Sequence, residues 1–300
     1  MIYAPVSTHI IHIDWKIIHL YRIMGSGQST AAGLFHNPTT CTIVSFEGNI
    51  GSGKTTAKEK FKQYILANNK GAESTIFVDE PTDEWQMVQD EKGVPILVNL
   101  YSDLKRFAFR FQMMAYISRL KKLRDAVRNP KIKIIITERC LITDAHVFEK
   151  MLYDSKHIEE DEHQIYTRWF DEFAKEVEPS CIVYFKASTE VCMNRIKQRN
   201  RPGEQDIQYD YLERCNNYHN NWLISNSANL IPVLILNANE EDSNYSAHVY
   251  KYMYDIRASK VIGVLHHLKT YVHSSNDIKI EYNEDSSLAR SQVSSSCVNV

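Results

Sequence analysis

The stretch Gly48-Asn49-Ile50-Gly51-Ser52-Gly53-Lys54-Thr55 follows directly on the apolar run Thr42–Phe46 and forms a complete GxxxxGK[ST] pattern. Its glycines allow backbone N–H groups to turn inward around phosphate oxygens, and a helix that begins near Gly53 points its positive end at the same anion. Lys54 then reaches the β- and γ-phosphates, and the Thr55 hydroxyl ligates Mg²⁺. A glycine turn between strand and helix is the alternative, but the full pattern in this context favours phosphate binding. The predicted ATP-binding residues are Gly48, Asn49, Ile50, Gly51, Ser52, Gly53, Lys54, Thr55 and Thr56.

Short apolar, β-branched runs alternate with longer segments of helical periodicity on both sides of this loop. The predicted strands are Thr42–Phe46, Thr75–Val78, Ile132–Thr137, Cys181–Phe185 and Ile231–Leu236. The predicted helices cover about 54–68, 103–128, 160–177, 189–200, 208–228 and 243–258. This alternation predicts an α/β fold with a doubly wound parallel sheet, and ligands of such sheets bind at the carboxyl ends of the strands.

The composition favours one central domain with a dissimilar segment at each end. Residues 1–40 contain an Ile-rich run and then a Gly/Ser stretch, and residues 266–300 are rich in Ser, so both ends are predicted to be disordered around a domain at 41–265. An acid-poor start and the pattern from Met24 to Ser29 leave mitochondrial targeting and myristoylation as alternatives.

Charge and cysteine content exclude several classes of function. The net charge of −2 gives no reason to expect nucleic-acid binding, and no apolar run approaches the length of a membrane span. The six cysteines form no CxxC pair and no zinc-ligand spacing, which indicates reduced thiols and a cytoplasmic protein.

Polar residues that follow the second and third predicted strands are candidates for binding the molecule that accepts the phosphate. Glu80 lies at the end of the second strand with Trp85 five residues later, and Glu138-Arg139 comes directly after the third. Glu138 is a candidate magnesium ligand and Arg139 a candidate anion ligand, whereas a structural ion pair is the alternative.

The long helix after Trp85 has a face on which polar side chains alternate with small Ala residues, which leave space for a ligand. Ala108, Gln112, Ala115 and Arg119 share this face, and a Gln amide can read the edge of a nucleobase. A solvated stripe is the alternative for Gln112 and Arg119, and Asp144 either orients Arg119 or caps the next helix. The flanking apolar positions Phe107, Phe111, Met114 and Ile117 are predicted to pack.

Three arginines, Arg195, Arg199 and Arg201, cluster where a predicted helix breaks at Pro202-Gly203. Mobile arginines beside such a loop neutralise developing charge in phosphoryl transfer, although a basic solvated face is the alternative.

Taken in order, GNIGSGKT, EPTDEW, LYSDLKRFAFRFQMMAYISR, ERCLITD, RIKQRNRPGEQ and YLERCNNYHNNWL resemble the deoxyribonucleoside kinase family over about residues 42 to 260. The resemblance implies a P-loop kinase fold with a five-stranded parallel sheet, helices on both faces and a homodimer. It implies that Glu80 is the base for the 5′-hydroxyl, with Arg139 nearby and Glu138 associated with magnesium.

The resemblance also implies the remaining site residues. Substrate binding falls to Trp85, Phe111 and Phe148 around the sugar and base, Gln112 on the base edge, and Tyr101 and Glu204 on the 3′-hydroxyl. The lid arginines are Arg195, Arg199 and Arg201. Cys140, where the family usually has Ser, and Pro202-Gly203 in the lid depart from the family pattern.

Arg119 with Asp144 resembles the deoxycytidine and deoxyguanosine branch, so the expected activity is ATP-dependent 5′-phosphorylation of deoxycytidine or a purine deoxynucleoside rather than thymidine. A thymidylate-kinase-like enzyme and a non-catalytic partner subunit are the alternatives. Glu-Arg rather than Asp-Arg after the third strand disfavours the first, and intact Lys54 and Glu80 disfavour the second.

Overall fold

The computed structural model describes residues 41–68, 70–201, 203–226, 231–240, 244–262, 268–274 and 277–282. The predicted N-terminal extension at 1–40, with its targeting patterns, and the tail after residue 282 lie outside the described residues.

The centre of the molecule is a parallel sheet. Its first five strands are β1 (Thr42–Glu47), β2 (Thr75–Val78), β3 (Ile134–Glu138), β4 (Cys181–Lys186) and β5 (Val233–Asn237). The order is β2-β3-β1-β4-β5 and every pairing among these strands is parallel, which confirms the predicted α/β fold. Because β1 lies at the centre, the loop that leaves its carboxyl end enters the crevice between the two halves of the sheet.

Helices connect the strands and lie on both sides of the sheet. They are α1 (Lys54–Ala67), α2 (Thr82–Met87), α3 (Ile96–Ser102), α4 (Leu104–Arg128), α5 (Leu141–Thr143), α6 (Lys150–Asp154), α7 (Glu160–Phe173), α8 (Thr189–Arg199), α9 (Tyr209–Asn220) and α10 (Tyr245–Ile262). A π-helical stretch, Asp144–Glu149, joins α5 to α6, and a second one, Asn221–Ser225, extends α9.

Alternate residues of β1 supply the two faces of the core. Ile43 packs in the cluster that contains Leu123 of α4, whereas Val44 packs in the cluster that contains Phe61 of α1 and Met253 of α10. All six residues of β1 are buried, as expected of a strand covered by helices on both sides.

Local capping explains where several helices begin. The Asp103 carboxylate accepts a hydrogen bond from the Arg106 N–H (3.1 Å) at the start of α4, and the Ser188 hydroxyl oxygen accepts one from the Val191 N–H (3.3 Å) at the start of α8. Each satisfies a backbone donor that the first helical turn leaves without a partner.

Two further strands extend the sheet beyond the five that the sequence predicts. β6 (Leu268–Ser274) pairs parallel to β5, and β7 (Asp277–Tyr282) pairs antiparallel to β6. Both lie in the segment 266–300 that we expected to be disordered, so that expectation was wrong for this part. The physical reason is the β-forming sequence of the two strands, LKTYVHS and DIKIEY, which the Ser content of the later tail obscures.

Candidate active site

The loop between β1 and α1 has the backbone of a phosphate cradle. Gly48 and Gly51 have φ of 144° and 79°, and an added Cβ at Gly48 would lie 2.6 Å from the Phe185 carbonyl oxygen. A Cβ at Gly51 would lie 2.5 Å from the Cys192 carbonyl oxygen. The close approach of β4 and α8 therefore requires glycine at both positions.

Lys54 begins α1 and points back into this loop. Its Nζ donates to the carbonyl oxygens of Gly48 (2.9 Å) and Asn49 (2.7 Å). Burial, and then the charge of Arg139, lower the pKa of Lys54 to about 7. An anionic phosphate at this position would reverse that effect, because it stabilises the ammonium form.

Thr55 and Glu138 bring two hard oxygen ligands together. The Thr55 hydroxyl lies 2.9 and 3.0 Å from the two Glu138 carboxylate oxygens, and Glu138 is only 6% exposed. Among the described residues no cluster of three or more His, Cys, Asp or Glu side chains could hold a metal alone. The oxygen ligands of Thr55 and Glu138 fit Mg²⁺, which proteins bind through one or two oxygen ligands together with substrate phosphates.

Glu80 follows β2 and faces Arg139, which follows β3. Arg139 NH1 donates to Glu80 Oε1 at 2.7 Å, and its NH2 donates to the Gly48 carbonyl oxygen at 3.2 Å. Burial alone would raise the pKa of Glu80, but the charges of Arg139 and Arg119 outweigh it and lower that pKa to about 2. Glu80 is therefore a carboxylate at any ordinary pH.

Arg139 reaches Glu80 from an unusual backbone conformation. Its φ is 64°, in the left-handed region that non-glycine residues rarely occupy. Its N–H donates to the Phe46 carbonyl oxygen of β1, and its own carbonyl accepts from the Thr137 hydroxyl. These bonds hold the strained residue at the end of the sheet, consistent with a functional role.

Arg119 and Asp144 form a buried ion pair, which is the first of the two alternatives that the sequence leaves open for Asp144. Arg119 Nε and NH2 donate to the Asp144 carboxylate at 2.9 and 3.3 Å, and NH1 donates to the Glu138 carbonyl oxygen at 3.0 Å. Arg119 NH2 also lies 3.5 Å from Glu80 Oε1. Burial raises the pKa of Asp144 and Arg119 opposes that rise. The pair thus belongs to the same network as Glu80.

An acceptor cavity of about 340 Å³ lies against this network. Trp85, Phe111 and Phe148 line it, with the Trp85 and Phe111 rings in edge contact at 5.1 Å. Gln112 also lines it; the residue is 2% exposed, and its Oε1 has no hydrogen-bond partner among the described residues. An unpartnered buried amide oxygen is costly, so it marks the place where a polar ligand group would bind.

Tyr101 and Glu204 lie at another part of the same cavity wall. Glu204 is held by Arg199, which donates from Nε (2.7 Å) and NH2 (2.6 Å), with Arg201 NH1 at 3.6 Å. The family resemblance assigns Tyr101 and Glu204 to the sugar, and Arg199 and Arg201 to the phosphate. The sequence did not predict that Arg199 pairs with Glu204. Each carboxylate oxygen keeps a second lone pair that can accept a sugar hydroxyl.

A second, donor cavity of about 930 Å³ lies on the other side of the phosphate loop. Arg195 lines it and donates from NH1 to the carbonyl oxygens of Ser52 (3.3 Å) and Ala238 (2.8 Å). Thr56 lines it as well. The Ser52 Oγ is buried without a partner in the described part of the chain, which fits an anion ligand in this loop.

The acceptor and donor cavities meet, and five residues line both of them: Gly51, Lys54, Thr55, Glu138 and Arg199. A phosphoryl group passing from one cavity to the other would therefore move past the side chains of Lys54 and Arg199 and past the candidate magnesium ligands. Gly48 and Asn49 lie behind this junction, where their carbonyl oxygens hold Lys54.

Sequence patterns missed several residues that line the acceptor cavity, among them Lys58, Asp79 and Tyr211. Lys58 lies one turn after Lys54 on α1, but this helix contains several lysines and no motif distinguishes this one. Tyr211 contacts Tyr101 edge to face at 6.0 Å, but only the fold brings α9 to α3. Ile117, predicted to pack, is 50% exposed within the described chain.

Comparisons with known proteins agree with this geometry. Residues 44–258 match the family described as Deoxynucleoside kinase. The chain is 31% identical over 229 residues to a mitochondrial deoxyguanosine kinase of Xenopus laevis, covering 68% of this chain and 84% of the relative. It is 32% identical over 220 residues to a probable deoxycytidine kinase of Fowlpox virus, covering 71% and 86%. It is 30% identical over 225 residues to human deoxycytidine kinase, covering 66% and 84%.

Proposed function

The chain belongs to the deoxynucleoside kinase family, and we propose that it transfers the γ-phosphate of ATP to the 5′-hydroxyl of deoxycytidine or a purine deoxynucleoside. The observation that carries the proposal is the junction of the two cavities at Lys54, Glu138 and Arg199, with Glu80 on the acceptor side. A donor nucleotide and a nucleoside can approach each other there.

On the acceptor side Glu80 accepts a hydrogen bond from the 5′-hydroxyl and then its proton. Because its pKa lies at about 2, Glu80 is ionised at neutral pH and can both orient the hydroxyl and accept its proton. This suffices in phosphoryl transfer, where the attacking oxygen forms little bond in a loose transition state. Arg139 keeps Glu80 ionised and in place through the 2.7 Å contact.

On the donor side the phosphate loop and Lys54 bind the β- and γ-phosphates. Thr55 and Glu138 would hold magnesium, which would neutralise phosphate charge. Arg199 and Arg201 are cationic residues of the lid, and both line the acceptor cavity together with Glu204. We assign Arg195 to the donor side, since it contacts the carbonyl of Ser52 in the loop.

Base preference follows from the floor of the acceptor cavity. The unpartnered Gln112 Oε1 can accept a hydrogen bond from an exocyclic amino group of a base. The Arg119–Asp144 pair adds polar groups and occupies the space that a thymine methyl would need. These features support deoxycytidine and purine deoxynucleosides over thymidine.

The experiment that tests the proposal compares two classes of acceptor. Purified protein is incubated with ATP, Mg²⁺ and either deoxycytidine or deoxycytidine monophosphate, and nucleotide products are separated by chromatography. We expect the monophosphate from deoxycytidine and no diphosphate from the monophosphate, with Lys54→Ala as background. Diphosphate formation alone would support the nucleoside monophosphate kinase alternative instead.

A homodimer is our proposal for the quaternary state. Ile117 of α4 and Ile165 and Trp169 of α7 are 50%, 44% and 45% exposed, and the Tyr116 hydroxyl joins the two helices by donating to the Trp169 carbonyl. A second copy of this chain could cover this apolar surface. Light scattering should give twice the 34.8 kDa chain mass, and Trp169→Asp should give the monomer.

For location we propose the cytoplasm, with a mitochondrial location as the alternative. Within the described ranges, Cys41, Cys140, Cys181, Cys192 and Cys215 are reduced and take part in no disulfide, which supports a reducing compartment. None of the helices in the described ranges combines the length and apolar character needed to cross a membrane. A fluorescent fusion of the full chain, imaged beside a mitochondrial dye, distinguishes the two locations.

A further inference from the structure

Lys58 lies between two carboxylates that follow different strands of the sheet. Its Nζ lies 2.6 Å from Asp79 Oδ1 after β2 and 3.1 Å from Glu138 Oε2 at the end of β3. The Lys58 side chain is 5% exposed and that of Glu138 is 7% exposed, whereas that of Asp79 is 76% exposed. The lysine thus shares its charge between a buried partner and a solvated one.

The buried partner is the carboxylate that we assign to magnesium. Both of its oxygens contact the Thr55 hydroxyl, but only Oε2 contacts Lys58, so the two oxygens differ in charge environment. A fixed positive charge therefore lies against one side of the metal-binding carboxylate.

We propose that Lys58 is a positioning residue that fixes the Glu138 carboxylate and weakens its attraction for a divalent cation, leaving Oε1 as the oxygen directed to the metal. This inference rests on the proposed function, in which Glu138 is a magnesium ligand. A loosely held metal can leave with the nucleotide product at each turnover. Asp79 regulates the effect, because it competes with Glu138 for the same ammonium group.

Two substitutions should then change metal affinity in opposite directions. Lys58→Met keeps the length of the side chain but removes its charge, so Glu138 should bind a divalent cation more tightly, on the order of tenfold. Asp79→Asn leaves Lys58 paired with Glu138 alone, so the affinity should fall about two- to fivefold, the size expected of an exposed ion pair. A purely structural role would weaken binding in both variants.

The experiment titrates Mn²⁺ into full-length protein with a non-hydrolysable ATP analogue and measures free Mn²⁺ by electron paramagnetic resonance. Lys62→Met, one turn further along α1 on a half-exposed side chain, is the matched control and should leave affinity unchanged. Circular dichroism and the melting temperature show that each variant is folded. Should Lys58→Met fail to fold, Lys58→Gln, which is also uncharged, takes its place and is expected to bind Mn²⁺ more tightly in the same way.

Glu138→Gln tests the magnesium role of Glu138 separately from the positioning role of Lys58. If this variant binds Mn²⁺ as tightly as the unchanged protein, the metal role of Glu138 is wrong and the inference about Lys58 falls with it. If Glu138→Gln weakens binding but Lys58→Met does not tighten it, only the Lys58 inference is overturned. Tighter binding in Lys58→Met with weaker binding in Asp79→Asn supports both.

Discussion

Replacing Arg119 and Asp144, separately and together, tests the buried pair under the acceptor cavity. Arg119→Met leaves a carboxylate that is 1% exposed and has lost the guanidinium that held both of its oxygens. Asp144→Ala leaves Arg119 with two acceptors, the Glu138 carbonyl oxygen at 3.0 Å and Glu80 at 3.5 Å. The two single substitutions are therefore not equivalent.

The energies follow from these contacts. Breaking a buried pair by removing one partner costs about 3–5 kcal/mol, which we expect for Arg119→Met. Asp144→Ala should cost less, about 2–3 kcal/mol, because the guanidinium keeps other acceptors. The double variant removes both charges as a unit, so its free energy of unfolding should exceed the additive expectation by about 2–3 kcal/mol.

The cost of Arg119→Met should also depend on pH. Burial already raises the pKa of Asp144, and without Arg119 that pKa rises further. A carboxyl group with a raised folded pKa contributes most stability below its unfolded pKa, and this contribution is lost as the pH rises through the folded pKa. The variant should therefore be closest in stability to the unchanged protein in mild acid, and furthest from it at pH 8.

Urea unfolding followed by circular dichroism, at pH 5.5 and pH 8, measures these energies for the four proteins of the cycle. Steady-state kinetics with thymidine and deoxycytidine then show base choice, and the double variant should shift the ratio of kcat/KM values toward thymidine. If the losses in free energy of unfolding of the two single variants add up to the loss of the double variant, Arg119 and Asp144 are not coupled as proposed. Its role in base choice would be refuted if the ratio does not move, or if the unchanged protein already prefers thymidine.

Three further predictions address the reaction and the domain. Glu80→Gln should slow single-turnover transfer by about 10²–10⁴-fold while nucleoside binding stays near normal, and a loss below tenfold would contradict the base role. Lys54→Ala should abolish transfer while the circular-dichroism spectrum stays native. ATP binding to the unchanged protein at pH 8 should take up protons, because phosphate raises the pKa of Lys54, which lies at about 7. Calorimetric binding enthalpies that do not vary with the ionisation enthalpy of the buffer would contradict this proton uptake. Deleting residues 1–38, outside the described residues, should leave activity and melting temperature nearly unchanged, whereas a large fall would show that the segment packs on the domain.

The strands and long helices were predictable because their apolar periodicity is unambiguous. β1 and α4 match their predicted bounds within one residue. The segment from Leu141 to Asp154 was not predicted, because its two short α-helices flank a π-helical stretch that breaks the 3.6-residue period. That stretch has a consequence for the site, since it contains both Asp144 and Phe148.

Site residues were predictable where a motif fixes their position at the end of a strand. The pairing of Arg119 with Asp144 followed from the cost of burying an arginine alone. The pairing of Arg199 with Glu204 did not, because it depends on how the chain folds back after α8. Lys58 was missed because one lysine among several on α1 has no motif to identify it, and only the sheet brings its carboxylate partners together.

The proposed reaction is tested by the rate of monophosphate formation from each of the four deoxynucleosides with ATP and Mg²⁺. We expect deoxycytidine, deoxyguanosine or deoxyadenosine to be converted to its 5′-monophosphate with matching ADP release, faster than thymidine, and Lys54→Ala to abolish all four reactions. No monophosphate from any of the four, with a folded protein that binds ATP, would contradict it.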